Sequence, residues 1–249
     1  MARVPEKNKR KVERIEESRD LLNSYLANVA LMLSAPVRLV ILNQLVQAPR
    51  TVEELSASTQ QSMANVSQHL AKLKSAQLVQ VRKLGLQRIY SLSSPAVQKV
   101  VLALQALARE ISTEVNIAED TLVAPELRAR ESISEILSNV AAHRADLIDV
   151  RTPQEQAATP VDLARKIPVE NEDDLEKLLR AAPKNKPVYV FCRGAYCVTA
   201  SRAAEFLRAQ GVDAWCLRET APEMTESTGL TEREEPSPQQ KKLGIEKKQ

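Results

Sequence analysis

The stretch that most restricts what this chain can become is Val188 to Arg208, VYVFCRGAYCVTASRAAEFLR. Four β-prone residues, Val188 to Phe191, run into Cys192. A short turn through Arg193, Gly194, Ala195 and Tyr196 reaches Cys197. Ala200, Ala203, Ala204, Phe206 and Leu207 then recur at helical spacing. The pattern predicts a buried strand, a tight loop and a helix, with a cysteine where the strand stops. Loop N–H groups and the unpaired N–H groups of the helix start point into the mouth of such a loop. A thiolate held there is stabilised, so the pKa of Cys192 is expected to fall and Cys192 becomes the candidate nucleophile.

The rest of the chain is long enough for a second core. Its 249 residues are 43% hydrophobic and 27% charged, with aromatics at only 3%, so Leu, Val and Ala must fill both interiors. No apolar run approaches the length of a membrane span, and the first residues are charged rather than signal-like. A cytoplasmic protein is expected. Three cysteines make no disulfide framework; in a reducing compartment they suggest transfer or redox chemistry. Charge is uneven along the chain. Residues 1–94 carry 14 Lys and Arg against 7 Asp and Glu, whereas residues 95–249 carry 21 against 25. The first part alone is suited to a polyanionic partner.

Read in order, residues 1–10 are polar and expected to fray. Val12, Ile15, Leu22, Leu26, Val29 and Leu33 mark one face of a long helix from Lys11. Pro36 opens the next helix, which ends before Pro49. Thr51 and Glu54 form a capping box for a short helix ending near Thr59. Gln60 and Gln61 turn the chain, and Ser62 caps a third helix that buries Val66, Leu70 and Leu73. Short helix, brief turn and second helix make a helix-turn-helix. Leu78–Arg82 and Gln87–Ser91, separated by Lys83 to Leu86, read as a two-stranded wing. Residues 95–118 form another long amphipathic helix, and 119–131, charged and containing Pro125, read as a linker.

Beyond the linker, a helix at 132–140 precedes a strand at Asp146–Val150. A helix at 171–180 precedes the central strand at 188–191. Val212 to Leu217 forms a further strand, in which Cys216 or Trp215 faces the core; Cys216 is read as packing. Charge, Pro and Gln dominate from Thr228, and residues 236–249 are expected to be a disordered tail.

Two resemblances sharpen this outline. The cysteine loop, with Leu147-Ile-Asp149-Val-Arg151-Thr-Pro-Gln-Glu155 upstream, resembles the rhodanese superfamily of sulfurtransferases. That resemblance implies that Cys192 carries a persulfide and that Asp149 and Arg151 brace the active-site side. In the family the loop ends on an arginine, where this chain has Cys197. Separately, Leu33-Ser-Ala-Pro-Val-Arg-Leu39, Ser67-Gln-His-Leu70 and Ile89-Tyr-Ser-Leu92 look like the ArsR/SmtB winged-helix repressor family over roughly residues 20–115. It implies a homodimer whose paired recognition helices enter successive major grooves of double-stranded DNA. Asn65, Ser67, Gln68 and His69 are then the candidates for base edges or phosphates, with Ser62 at the helix start. Lys72, Arg82, Lys83 and Arg88 are the candidate phosphate contacts.

The expected architecture is therefore two domains: a mainly α winged helix-turn-helix at 1–118, a linker at 119–131, and an α/β rhodanese-like domain with a central parallel sheet at 132–235. Metal sensing through the winged helix is disfavoured, because residues 1–131 hold no cysteine and only one histidine, His69. No cofactor fingerprint is present, and no metal or cofactor is expected. Three readings of the cysteine pair remain: a working sulfur acceptor, a degenerate docking module, or two inert thiols. The first, with Cys192 accepting sulfur, Cys197 resolving and Arg193 attracting anions, is preferred. It gives a DNA-binding repressor that senses reactive sulfur through Cys192 by meeting a sulfane donor. The alternative is a sulfurtransferase that uses the winged helix as a dimerisation platform.

Overall fold

The structure, a computed structural model, describes residues 6–227, with side chains from residue 14 to residue 225. Of residues 1–10, expected to fray, 1–5 lie outside the described residues, as does the expected tail at 236–249, while residues 6–10 are already helical. The chain divides into two compact units, the first reaching residue 101 apart from residues 46–48, the second taking those three and residues from 102 onward.

The first unit opens with α1 (Glu6–Leu33) and α2 (Pro36–Gln47). Proline at the first helical position costs α2 nothing, since that N–H lacks an intrahelical acceptor anyway. The buried Arg38 donates from Nε to Met32 O at 2.5 Å and from Nη2 to Leu31 O at 2.6 Å. A cation thus closes the carbonyl end of α1, where the helix dipole is negative. Next come β1 (Arg50–Thr51), α3 (Val52–Thr59) and α4 (Met63–Ser75). The predicted capping box is present: Glu54 N–H donates to Thr51 Oγ1 at 3.3 Å and Thr51 N–H to Glu54 Oε2 at 2.7 Å. Gln60, at φ 54°, ends α3 in the left-handed region, and Ser62 caps α4 by accepting from Asn65 N–H at 3.2 Å. Val66, Leu70 and Leu73 of α4 are fully buried, each contributing roughly 1.5–3 kcal/mol over an exposed position.

The wing consists of β2 (Val79–Leu84) and β3 (Gln87–Leu92), with β1 completing an antiparallel sheet in the order β1-β3-β2. Its turn is tighter than the expected four residues. Leu84 pairs with Gln87, leaving only Gly85 and Leu86 between the strands. Gly85 makes this possible, because its φ of +60° is open to glycine at no steric cost.

Residues 95–118 are two helices rather than one. Helix α5 (Pro95–Ile111) stops where Ser112 turns extended and caps α6 (Thr113–Leu122) by accepting from Val115 N–H at 3.3 Å. The segment expected to be a linker, 119–131, is built into the second unit. Glu119, Val123 and Leu127 are buried, a 3₁₀ turn spans Pro125–Leu127, and Ala129 N–H donates to Cys216 O at 3.1 Å. Its charges conceal two apolar anchors and a carboxylate paired with Arg218 far along the chain.

The second unit continues with α7 (Ile133–Ala141), β4 (Asp146–Asp149), α8 (Pro153–Ala158), β5 (Arg165–Lys166), α9 (Glu172–Ala181) and β6 (Val188–Phe191). It ends with α10 (Thr199–Ala209), β7 (Ala214–Cys216) and α11 (Ala221–Ser227). The four strands form a parallel sheet in the order β5-β4-β6-β7. Every residue of the central strand β6 is buried, as a parallel sheet covered on both faces requires. Alternation sends Val188 and Val190 into one core with α9 and α10, and Tyr189 and Phe191 into another with α7. Cys192, next in the alternation, falls on the Val188 and Val190 face.

Candidate functional site

Strand β6 ends at Phe191, whose carbonyl accepts from Val150 N–H at 3.1 Å, and the chain breaks into the loop Cys192–Cys197. Gly194 sits at φ +81°, and a Cβ there would meet Thr220 Cγ2 at 2.8 Å and the Arg218 carbonyl oxygen at 3.2 Å. Only glycine lets the loop fold back against the segment that follows β7. Cys197 N–H then closes the turn onto Gly194 O at 3.1 Å. The closure brings Cys192 Sγ and Cys197 Sγ to 2.6 Å. Both residues are buried, at 2% and 8% exposure, and both thiols are free. Their neighbours Tyr196 and Val198 are 54% and 43% exposed, so the Cys197 end of the loop is the outer one.

The expected depression of pKa falls on the other cysteine of the pair. The hydrogen bond between the two sulfurs, with burial among aliphatic side chains, holds the Cys192 pKa well above the ordinary thiol value. The charge of Arg193, and then its backbone amide, oppose the effect. Cys197 is lowered to about 5 by the bond from Cys192, by the hydroxyl and N–H of Thr199, and by the Arg193 guanidinium. Arg193 Nη1 stands 3.6 Å from Cys197 Sγ. Helix α10 has no side-chain oxygen cap; the Cys197 sulfur accepts the hydrogen bond at that position. Helix N-terminus, hydroxyl and guanidinium thus act on one atom.

Arg193 is itself held in place. Its Nε donates to Glu155 Oε1 at 2.6 Å, and Glu155, in the first turn of α8, is completely buried. Asp149 and Arg151 are also completely buried, but they face each other. Arg151 Nη2 lies 2.7 Å from Asp149 Oδ2, Arg151 Nε 3.0 Å from Oδ1, and Nη2 also donates to Thr159 O at 2.8 Å. The Arg151 guanidinium lies 5.4 Å from the centre of the Phe191 ring, one residue before Cys192. Among the described residues no hydrogen bond joins either of them to a sulfur. Their contacts run to each other, to the Thr159 carbonyl and to the Phe191 ring. Cys216 is the core member of its strand; burial, then the nearby Cys197 thiolate, raise it to about 12.

The candidate DNA contacts divide by exposure. Ser67, Gln68 and Lys72 are exposed on α4, and Arg82, Lys83 and Arg88 are exposed on the wing. In the hairpin register Lys83 stands directly opposite Arg88, a like-charge pair that a polyanion relieves. The Ser62 hydroxyl is engaged in capping, and Asn65 Nδ2 donates to Gln61 Oε1 at 2.8 Å. His69 is half-buried, and desolvation, then Arg38 and Lys72, lower its pKa and favour the neutral ring. Among the described residues no group of three His, Cys, Asp or Glu side chains is placed to hold a metal ion.

Sequence reasoning located the loop and both cysteines but missed Thr199 and the hold of Glu155 on Arg193. A Thr two residues past the loop, before an alanine-rich helix, was the available signal for the first. The second joins residues 38 positions apart and has no local signature.

Residues 35–81 match the bacterial regulatory protein arsR family, and residues 132–220 match the rhodanese-like domain. The chain is 31% identical over 186 residues to the HTH-type transcriptional regulator Rv0324 of Mycobacterium tuberculosis, covering 74% of this chain and 80% of that protein. It is 37% identical over 90 residues to the HTH-type transcriptional regulator Rv0081 of the same organism, covering 35% of this chain and 79% of that protein. Among solved structures, the homodimeric winged helix-turn-helix DNA-binding domain of Mb0332 from Mycobacterium bovis is 30% identical. The match covers 37% of this chain and 85% of that one, with a TM-score of 0.36.

Proposed function

Because the chain belongs to the ArsR-family helix-turn-helix transcriptional regulators and carries a rhodanese-like domain, we propose that it is a repressor whose affinity for operator DNA is set by reactive sulfur species at the Cys192–Cys197 pair. The observation that carries the reading is the 2.6 Å approach of two buried thiols, one of them lowered to about 5, beside a guanidinium. A pair so close favours closure on itself over delivery of sulfur to an external acceptor. This supports a sensor rather than a turnover enzyme.

The winged helix acts as a homodimer on double-stranded DNA. Leu21, Leu22, Tyr25 and Leu26 of α1 are more than half exposed in the single protomer, an apolar surface that a second copy covers. Ser67 and Gln68 face base edges, while Lys72, Arg82, Lys83 and Arg88 meet phosphates. Among the described residues no single helix is long and apolar enough to cross a membrane, and a DNA partner is consistent with work in the cytoplasm.

Selection from a random duplex library by the reduced protein gives the operator. Binding of that duplex is then compared before and after treatment with inorganic polysulfide. A change in affinity supports sulfur sensing; the same affinity in both states overturns it.

A further inference from the structure

We propose that Cys197, at the outer end of the loop, is the sulfur that attacks the donor, and that the deeper Cys192 then closes a disulfide onto it. The assignment rests on the sulfur-sensing reading above and inverts the roles expected from the order of the cysteines along the chain.

Four observations point the same way. Both cysteines belong to one core cluster with Val188, Val190 and Ala203, but Cys197 is the more exposed of the pair, 8% against 2%, and its sequence neighbours Tyr196 and Val198 lie at the surface. Arg193 Nη1 approaches Cys197 Sγ, with Glu155 fixing the guanidinium from behind. Helix α10 offers its N-terminal N–H groups with no oxygen cap, and Thr199 turns both its N–H and its hydroxyl onto Cys197. The pKa of Cys197 is lowered to about 5 while that of Cys192 is raised. A thiolate is the attacking species, and these groups favour it at Cys197.

The donor class is a hydropersulfide, R–S–SH, whose outer sulfur is electrophilic. The Cys197 thiolate attacks that sulfur, the donor S–S bond breaks, and R–S⁻ leaves with the bonding pair. Cys197 now carries S–SH. The Cys192 sulfur attacks the inner sulfur of this persulfide, already within 2.6 Å in the reduced loop; a disulfide bond is about 2.05 Å long. The Cys197 S–SH bond breaks, and hydrosulfide leaves carrying the Cys192 proton as hydrogen sulfide. Each cysteine sulfur gives up one electron and the sulfane sulfur takes two. The products are one disulfide, one thiol R–SH and one hydrogen sulfide.

The test is intact-mass and peptide mass spectrometry of the full chain after exposure to glutathione hydropersulfide. Cys192→Ser is expected to gain one sulfur atom, located on Cys197, and to stop there. Cys197→Ser is expected to react at Cys192 about tenfold more slowly or less. The wild type is expected to lose two hydrogens and release one hydrogen sulfide per chain. Rapid loading of Cys197→Ser with an inert Cys192→Ser overturns the assignment. A second measurement guards against misfolded variants. In the wild type, the first site taken by iodoacetamide near neutral pH is expected to be Cys197, and alkylation of Cys192 first overturns the assignment equally. Loading at Cys197 with unchanged operator affinity overturns the sensing reading and leaves this assignment standing.

Discussion

Arg193 donates from Nε to the buried carboxylate of Glu155 at 2.6 Å, and the same guanidinium reaches Cys197 Sγ at 3.6 Å from Nη1. One cation therefore serves a buried carboxylate and a thiol. Glu155 is sealed in the fold, and Cys197 sits at the end of the loop nearer the solvent. The arrangement ties the stability of α8 to the ionisation of the thiol, and the two can be separated by mutation.

Arg193→Met leaves the Glu155 carboxylate buried without its cation. Loss of one partner of a buried pair costs about 3–5 kcal/mol, so urea denaturation is expected to show a large drop in stability. The double variant Arg193→Met/Glu155→Met is expected to recover much of it, a coupling that a double-mutant cycle measures directly. Independence of the two sites would contradict the ion-pair account. Both variants are also expected to raise the pH at which Cys197 becomes reactive toward iodoacetamide, since each lacks the guanidinium.

Asp149 and Arg151 make a different prediction. Asp149→Ala strands a guanidinium that is completely buried, again at about 3–5 kcal/mol. Measured under conditions where the variant is still folded, the alkylation rate at Cys197 is expected to stay within about twofold of wild type, because among the described residues no hydrogen bond joins the pair to the sulfurs. A large change in rate at full folding would return these residues to the chemistry.

The thiol pair sets a pH dependence of stability. Below pH about 5 both thiols carry protons in the folded and unfolded chains, so the pair contributes nothing. Between about 5 and the ordinary thiol range the folded pair has released one proton and the unfolded chain none, and stability rises with pH. Above that range the unfolded chain has lost both protons while Cys192, raised, keeps its own, and the gain declines. Reduced wild type is therefore expected to gain stability over Cys197→Ser as pH climbs from 5 toward 9. Parallel denaturation curves for the two proteins would contradict the thiolate at Cys197.

On the wing, Lys83 and Arg88 stand opposite each other in the hairpin register. Replacing either with Ala is expected to weaken binding to all duplexes alike and to reduce the slope of log affinity against log salt by about 1. The free protein is expected to lose no stability, since a like-charge pair is relieved. Gln68→Ala on α4 is expected to behave differently, narrowing the gap between operator and random duplex by about 1–3 kcal/mol. Titrations at several salt concentrations distinguish the two classes.

What the sequence made legible is what is encoded locally. The helix-turn-helix could be read because Thr51 and Glu54, Ser62, and the triplet Val66, Leu70 and Leu73 lie within a few residues of one another. The strand, loop and helix around Cys192 were legible for the same reason, and the central parallel sheet was what the rhodanese resemblance implied. The misreadings are long-range. Residues 119–131 look like a linker by charge, yet Glu119 is paired with Arg218, 99 positions away, and with Arg109 at 3.5 Å. The location of the thiolate depends on Thr199 and on Glu155 acting through Arg193, and the order of the two cysteines carries no information about either. The break at Ser112 was hidden because apolar residues keep helical spacing on both sides of it.

The most direct test of the account is the affinity of the full chain for its selected operator, measured in one titration series on the same sample. The series runs reduced, then treated with hydropersulfide, then reduced again with dithiothreitol, beside Cys192→Ser and Cys197→Ser. The account predicts a reversible change of about 5–150-fold in the wild type, the range of ordinary allosteric coupling, and no such cycle in either variant. An affinity that stays the same through all three states, with the disulfide confirmed by mass, would contradict it.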